Sequence, residues 1–177
     1  LTYDDDKTYN SVILFDRSGI QEVYRKKYPV PLAEQVPLSD IFPRLRKINI
    51  GVANYSSGTE NVIFKVDNKK FSSLICYESI FGEYVSKFMA KDAEWICLIS
   101  NDGWWGHTYG HQQLHSYARL RAIENRRYIL RSANTGISSV INPNGIVEKF
   151  LPYSQKGIIN ATIFKSDVIT FYSKYGD

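Results

Sequence analysis

The chain has 177 residues, enough for a domain with a substantial buried core. At 44% hydrophobic and 23% charged residues its balance is globular, which excludes a disordered chain. The net charge of +4 comes from 22 basic and 18 acidic residues mixed along the sequence, too mild and too dispersed for a nucleic-acid partner. Two cysteines exclude a disulfide framework, and with three scattered histidines they form no metal-ligand cluster. No apolar run approaches the ~18 to 20 residues that cross a bilayer, so the chain taken alone is expected to be soluble.

Residue Leu1 is not an initiator Met, and the residues after it lack a signal-peptide pattern. The expectation is a piece of a larger protein. Short apolar runs separated by turn residues predict strands at 10–15, 20–24, 61–66, 71–76, 95–99, 128–132, 137–141, 146–150 and 157–163. Two of them, Val12-Ile13-Leu14-Phe15 and Trp95-Ile96-Cys97-Leu98-Ile99, are apolar throughout, which predicts strands covered on both faces. Asp16-Arg17-Ser18-Gly19 and Asn142-Pro143-Asn144-Gly145 each lie between two such runs and predict hairpins.

Helical spacing predicts a helix over 79–89, with Ile80, Tyr84, Val85 and Phe88 on one stripe and Ser79 as N-cap. A second helix is predicted over 111–127, with Leu114, Tyr117, Ala118, Arg121 and Ala122 on its apolar stripe. Arg121 there is expected to pair with Glu124. Residues 26–57 carry four of the six prolines, Pro43 among them, and lack periodicity until Ile48, which predicts one long functional loop. The fold class is α/β, rich in hairpins.

Chemistry concentrates at three places. Phe71 to Ile75 is an apolar strand that ends at Cys76 and runs directly into a helix start. A thiol at such a corner is presented at the strand's end, near the positive end of the helix dipole. Glu78 lies two residues on, where a core strand has no use for a carboxylate. Cys97, in mid-strand, reads as core. Lys26, in a basic patch with Arg25 and Lys27, leads into the proline-stiffened path to Glu34. A lysine beside a thiolate steadies it and the oxyanion of acyl transfer. Asn101-Asp102-Gly103-Trp104-Trp105-Gly106 follows an apolar strand, and its paired tryptophans read equally as a pocket wall or as a core cap. Arg131-Ser132-Ala133-Asn134-Thr135-Gly136 is a polar turn at a similar place.

In order, Tyr9-Asn10-Ser11, Tyr24-Arg25-Lys26 with its Val30-Pro31 to Val36-Pro37 loop, Ile75-Cys76-Tyr77-Glu78, Asn101 to Gly106, His111-Gln112-Gln113 through Glu124, and Arg131 to Gly136 resemble the nitrilase (carbon-nitrogen hydrolase) superfamily. Within it they are most similar to the apolipoprotein N-acyltransferase family. The resemblance implies that residues 1–177 are a fragment of a single catalytic domain with an incomplete αββα sandwich. It implies a Glu-Lys-Cys triad in which Cys76 is the nucleophile and Lys26 the lysine, with Lys27 the neighbouring alternative. Glu34 matches the family's second glutamate, and Glu78 the one after the nucleophile. The carboxylates among 1–25 do not match the strand context of the triad's base.

The resemblance also implies substrate-side roles for Glu78, Trp104 and Trp105, no cofactor, a phospholipid acyl donor and a diacylglyceryl-cysteine lipoprotein acceptor. The parent is expected in the bacterial inner membrane, with its catalytic domain facing the periplasm. An upstream strand missing from the sheet predicts strand exchange between copies of the fragment. A soluble amidase hydrolysing C–N bonds and a non-catalytic lipid- or protein-binding scaffold are the alternatives.

Overall fold

The computed structural model describes residues 1–38, 41, 42, 44, 45 and 53–176. Pro43 and Ile48 of the long loop lie outside the described residues. The chain divides into two compact units, Leu1–Asn61 and Val62–Asp177.

The first unit is built from ribbons. Strands β1 (Thr2–Asp4) and β2 (Lys7–Tyr9) form an antiparallel hairpin that the apolar pattern did not predict. Its strands are too polar to register as apolar runs, and its turn uses Asp5 at φ +50°. Strands β3 (Ser11–Asp16) and β4 (Gly19–Arg25) pair antiparallel through the expected turn, with Asp16 opposite Gly19 at φ +118°. The prediction that β3 is covered on both faces is corrected. Among the described residues β3 pairs only with β4, in a two-stranded sheet, and Phe15 is 73% exposed. The loop after β4 is tied back by its backbone. Lys26 N–H donates to the Asn10 carbonyl, Gly58 N–H to the Lys26 carbonyl and Tyr55 N–H to the Glu34 carbonyl, at 2.7–2.8 Å.

The second unit is an open six-stranded sheet in the order β10-β9-β8-β7-β6-β5. Its strands are β5 (Ile63–Val66), β6 (Lys69–Ile75), β7 (Trp95–Ser100), β8 (Tyr128–Ala133), β9 (Ser138–Ile141) and β10 (Val147–Leu151). The central strands β6, β7 and β8 run parallel, and the flanking pairs are antiparallel. β5 and β6 meet at Asp67-Asn68, both at positive φ, the geometry a two-residue hairpin needs. The expected turn Asn142 to Gly145 joins β9 to β10, with Gly145 at φ +75°.

Burial alternates along β7: Ile96 and Leu98 are closed off, whereas Cys97 is half-buried and Ile99 exposed. Cys97 and Ile99 line a cavity of about 470 Å³ with Leu130, Val140, Ile159 and Ile163. Burial of β7 on both faces is therefore incomplete. The predicted strand over 157–163 is also corrected. Among the described residues the segment has no ladder partner, and Ile158 is 88% exposed. Its alternation is real, because Ile159, Ala161 and Ile163 turn toward the sheet, but it lies over the sheet face and adds no strand to its edge.

Helix α1 (Gly82–Met89) starts later than predicted. Ser79 is not its N-cap. Residues Cys76–Ile80 form a separate 3₁₀ turn, in which Ser79 Oγ donates to the Cys76 carbonyl at 2.9 Å, and Phe81 occupies the cap. Tyr84, Val85 and Phe88 are buried as the stripe requires. Helix α2 (Gly110–Asn125) buries Leu114, Ala118, Arg121 and Ala122, with Arg121 Nη2 2.9 Å from Glu124 Oε1 as expected. Tyr117, placed on that stripe by its spacing, is exposed instead. A short helix α3 (Phe171–Tyr175) closes the described chain, capped by Thr170 Oγ1 accepting from Ser173 N–H. Among the described residues no helix is long and apolar enough to cross a membrane.

Candidate functional site

Parallel strands present their C-terminal ends together, and in open α/β sheets the crevice outside those ends is where ligands bind. Here Ile75 of β6 pairs with Ile99 of β7, and Ser100 of β7 with Ala133 of β8. Three chain segments therefore emerge side by side: Cys76 after β6, Asn101-Asp102 after β7 and Asn134-Thr135 after β8.

Cys76 is the first residue past the ladder. Its φ of +50° lies in the left-handed region, which costs a non-glycine residue on the order of 1 kcal/mol or more. That cost is held by local bonding. Glu78 is fully buried, and its Oε2 accepts from Ile75 N–H at 2.9 Å, while Ser79 Oγ holds the Cys76 carbonyl. The chain thus turns sharply at the thiol and leaves Cys76 half-buried at the strand end. Glu78 sits beneath the turn and braces it. Cys97 lies in mid-strand opposite Ser73, and burial pushes its thiol up to about 11, so it stays protonated at neutral pH.

The loop after β7 forms a 3₁₀ turn, Asp102–Trp105, whose N-cap Asn101 accepts from Gly103 N–H through Oδ1. Trp104 is 74% exposed. Trp105 lies against Gly110 at the start of α2, where a Cβ would come within 2.2 Å of the indole ring.

In the first unit Lys26 is 1% exposed. Its Nζ lies 2.6 Å from Glu34 Oε2, which also accepts from Val30 N–H at 2.7 Å, and Asn10 Nδ2 donates to Glu34 Oε1 at 3.0 Å. Glu34 is therefore fixed from three sides and in turn fixes the ammonium. The proline-rich loop and Asn10, both legible in the sequence, are what hold it. Lys27 is half-buried, whereas Lys26 is closed off from solvent beside Glu34.

The family model for carbon-nitrogen hydrolases matches residues 2–172. The chain belongs to the carbon-nitrogen hydrolase family. Curated relatives include an apolipoprotein N-acyltransferase from Chlorobaculum tepidum, 35% identical over 96% of this chain and 33% of that protein. Another from Bradyrhizobium diazoefficiens is 35% identical over 97% of this chain and 32% of that protein. The chain thus spans about a third of the length of the curated relatives it matches.

Among solved structures it is similar to a glutamine-dependent NAD+ synthetase from Acinetobacter baumannii (TM-score 0.69, 15% identity, 88% of this chain and 28% of that one). It is also similar to Saccharomyces cerevisiae Nit3, of the nitrilase superfamily (TM-score 0.59, 20% identity, 85% of this chain and 52% of that one). A third is an amidase from Nesterenkonia sp. AN1 that carries the acetamide moiety of fluoroacetamide on its active-site cysteine (TM-score 0.58, 18% identity, 81% of this chain and 51% of that one). These likenesses give the fold: the nitrilase-type α/β architecture, with the sandwich incomplete.

Cys76, Glu78, Lys26, Glu34, Trp104 and Trp105 stand out in the sequence by their local context. The buried charge pair of Asp102 and Arg131 does not stand out as a unit, because the two residues are separated by a whole helix. Asp102 at the end of one apolar strand and Arg131 inside the next were the available signal, two charges where a core wants none.

Proposed function

We propose that this chain is part of the catalytic domain of an apolipoprotein N-acyltransferase. In this reading the Cys76 thiolate attacks the ester carbonyl of a phospholipid acyl chain, forming the C–S bond. The Lys26 ammonium stabilises the tetrahedral oxyanion. Collapse breaks the ester C–O bond, the lysophospholipid alkoxide leaves with a proton, and a thioester remains on Cys76. The amine of a diacylglyceryl-cysteine then attacks that thioester, the C–N bond forms, and the thiol is released in a ping-pong sequence.

Glu34 orients Lys26, Glu78 holds the corner that aims the thiol, and Trp104 and Trp105 line the approach of the acyl or glyceryl groups. The general base is a glutamate contributed from outside these 177 residues. The parent is a membrane enzyme of the bacterial inner membrane, with this domain on the periplasmic side.

The observation that carries the reading is Cys76 held at positive φ at the end of a parallel strand, with the buried Glu78 carboxylate beneath it. The choice of lipid substrates rests on the named relatives. In the test, the full-length protein in vesicles receives phospholipid with a labelled acyl chain and a peptide beginning with diacylglyceryl-cysteine. Label appearing in an amide at the peptide N-terminus, and lost in Cys76→Ala, is the expected result. Hydrolysis of small amides with no label on the peptide overturns it in favour of an amidase.

A further inference from the structure

Beneath the loops at the ends of β7 and β8 lies a charge pair that the acyl-transfer scheme does not use. Arg131 Nη2 is 2.7 Å from Asp102 Oδ2, and both side chains are 0% exposed. Each partner is bonded further. Asp102 Oδ1 accepts from Ser100 Oγ, Arg131 Nη1 donates to the Ile137 carbonyl, and Asp102 N–H donates to Asn134 Oδ1 at 3.1 Å. Asn134 Nδ2 in turn donates to Asn101 Oδ1 at 2.7 Å. Gly136 completes the enclosure, since a Cβ there would come within 1.8 Å of Asp102 Oδ2. On the neighbouring strand Ser139, paired with Arg131, bonds His115 of α2 at 3.0 Å.

A fully buried ion pair is an inefficient way to gain stability, because desolvation offsets most of the Coulombic attraction. A hydrophobic pair of similar volume would serve a core as well. What charges add is direction: a carboxylate and a guanidinium fork fix the relative placement of the segments that carry them. The segments here are the 3₁₀ turn bearing Trp104 and Trp105, which follows β7 next to the strand end where Cys76 emerges, and the turn from Asn134 to Ile137, which follows β8 one strand further along the sheet.

We propose that Asp102 and Arg131 are positioning residues that set the loop 101–106 against the turn 134–137 and thereby shape the substrate approach beside Cys76. The proposal rests on the acyltransferase reading for its kinetic consequence, though not for its structural one. Two readouts on the full-length protein keep them apart: hydrogen exchange of the backbone, and phospholipid-dependent acyl transfer. In Asp102→Asn, amides of 101–106 and 134–137 are expected to exchange at least tenfold faster while those of α1 and β6 keep wild-type protection. KM for phospholipid is expected to rise about tenfold, with kcat changed less than threefold, the signature of lost binding and intact chemistry. Arg131→Lys, which keeps the charge and loses the fork, is expected to fall between wild type and Arg131→Gln in both readouts.

Wild-type loop protection and a KM within twofold in Asp102→Asn overturn the proposal. So does failure of both Asp102→Asn and Arg131→Lys to fold, which would make the pair a stability element. A wild-type protein that transfers no acyl group would sink the acyltransferase reading alone, and the exchange data would still decide the role of the pair.

Discussion

The two cysteines belong to neighbouring parallel strands, Cys97 inside β7 and Cys76 just past the end of β6, and they differ in backbone setting although both are half-buried. Cys97 is inside the ladder opposite Ser73, in ordinary strand geometry, and burial pushes its thiol up to about 11. Cys76 is one residue beyond the last ladder pair of β6, at φ +50°, over a 3₁₀ turn braced by a buried carboxylate. The side chain is the same, and the backbone decides its use. A strand interior holds a thiol among neighbours that disfavour its charged form. A sharp turn at a strand's end presents it and costs conformational energy, which Glu78 and Ser79 offset.

The contrast is broken most forcefully by exchanging the roles. Cys76→Ala in the full-length protein should reduce acyl transfer by about 10⁴ or more, as expected for a deleted nucleophile. Cys97→Ala should stay within about threefold of wild type in a transfer assay. Equal losses would make the corner irrelevant. Next in size, Lys26→Ala should lower kcat about 10²- to 10³-fold, in the range of a lost oxyanion donor. Glu34→Gln, which leaves the ammonium without its counter-charge, should lower it by a smaller factor.

Alkylation sharpens the comparison without any substrate. At pH 8 iodoacetamide should label Cys76 well ahead of Cys97, whose thiol burial keeps protonated, since only the thiolate reacts. Peptide mapping of the modified chain reads the ratio directly, and comparable labelling would contradict it. Smaller still is the effect of the brace. Glu78→Gln should destabilise the fold by about 1–3 kcal/mol, the cost of disturbing a buried, charge-assisted bond to Ile75 N–H, measured as a shift in the urea midpoint with m unchanged.

A pH prediction comes from α2. Burial, with Arg131 and Arg119 nearby, pushes the His115 imidazole down to about 4. The unfolded imidazole takes its proton near pH 6.5, so the unfolded state gains protons first as pH falls. The stability contributed by neutral His115 is complete above about pH 6.5 and is lost progressively down to about pH 4. Between pH 7 and 4 the wild type should therefore lose on the order of 1–3 kcal/mol more than His115→Gln in denaturant titrations. Parallel pH curves would remove the claim.

How much of this the sequence carried depends on the range of the interaction. The corner at Cys76 was legible because its parts are contiguous: an apolar run, a thiol, then a carboxylate two residues on. Both hairpins on Asp16 to Gly19 and Asn142 to Gly145 were legible for the same reason. The helix boundary at 79–89 shifted because Ser79 satisfies the Cys76 carbonyl and not an N-terminal amide, a choice that local spacing does not encode. The segment 157–163 has genuine period-two alternation, and periodicity reports which side chains face inward without saying whether a neighbouring strand is there to pair with. The covering of β3 failed on the same point, since an apolar run registers hydrophobicity and not the second layer that would bury it. The family resemblance singled out Lys26 and Glu34 separately, and their contact and the bonds from Asn10 and Val30 that make it rigid needed the folded chain. The Asp102–Arg131 pair is joined only by strand register and was out of reach of any local reading.

The central claim is that Cys76 carries the acyl group between donor and acceptor. Its most direct measurement is intact-protein and peptide mass spectrometry of the full-length protein after incubation with phospholipid and no acceptor. The account predicts one added acyl chain on the Cys76 peptide, released by neutral hydroxylamine as a thioester must be, and absent in Cys76→Ala. An adduct on Cys97, an adduct stable to hydroxylamine, or none at all on an enzyme that turns over phospholipid would contradict it.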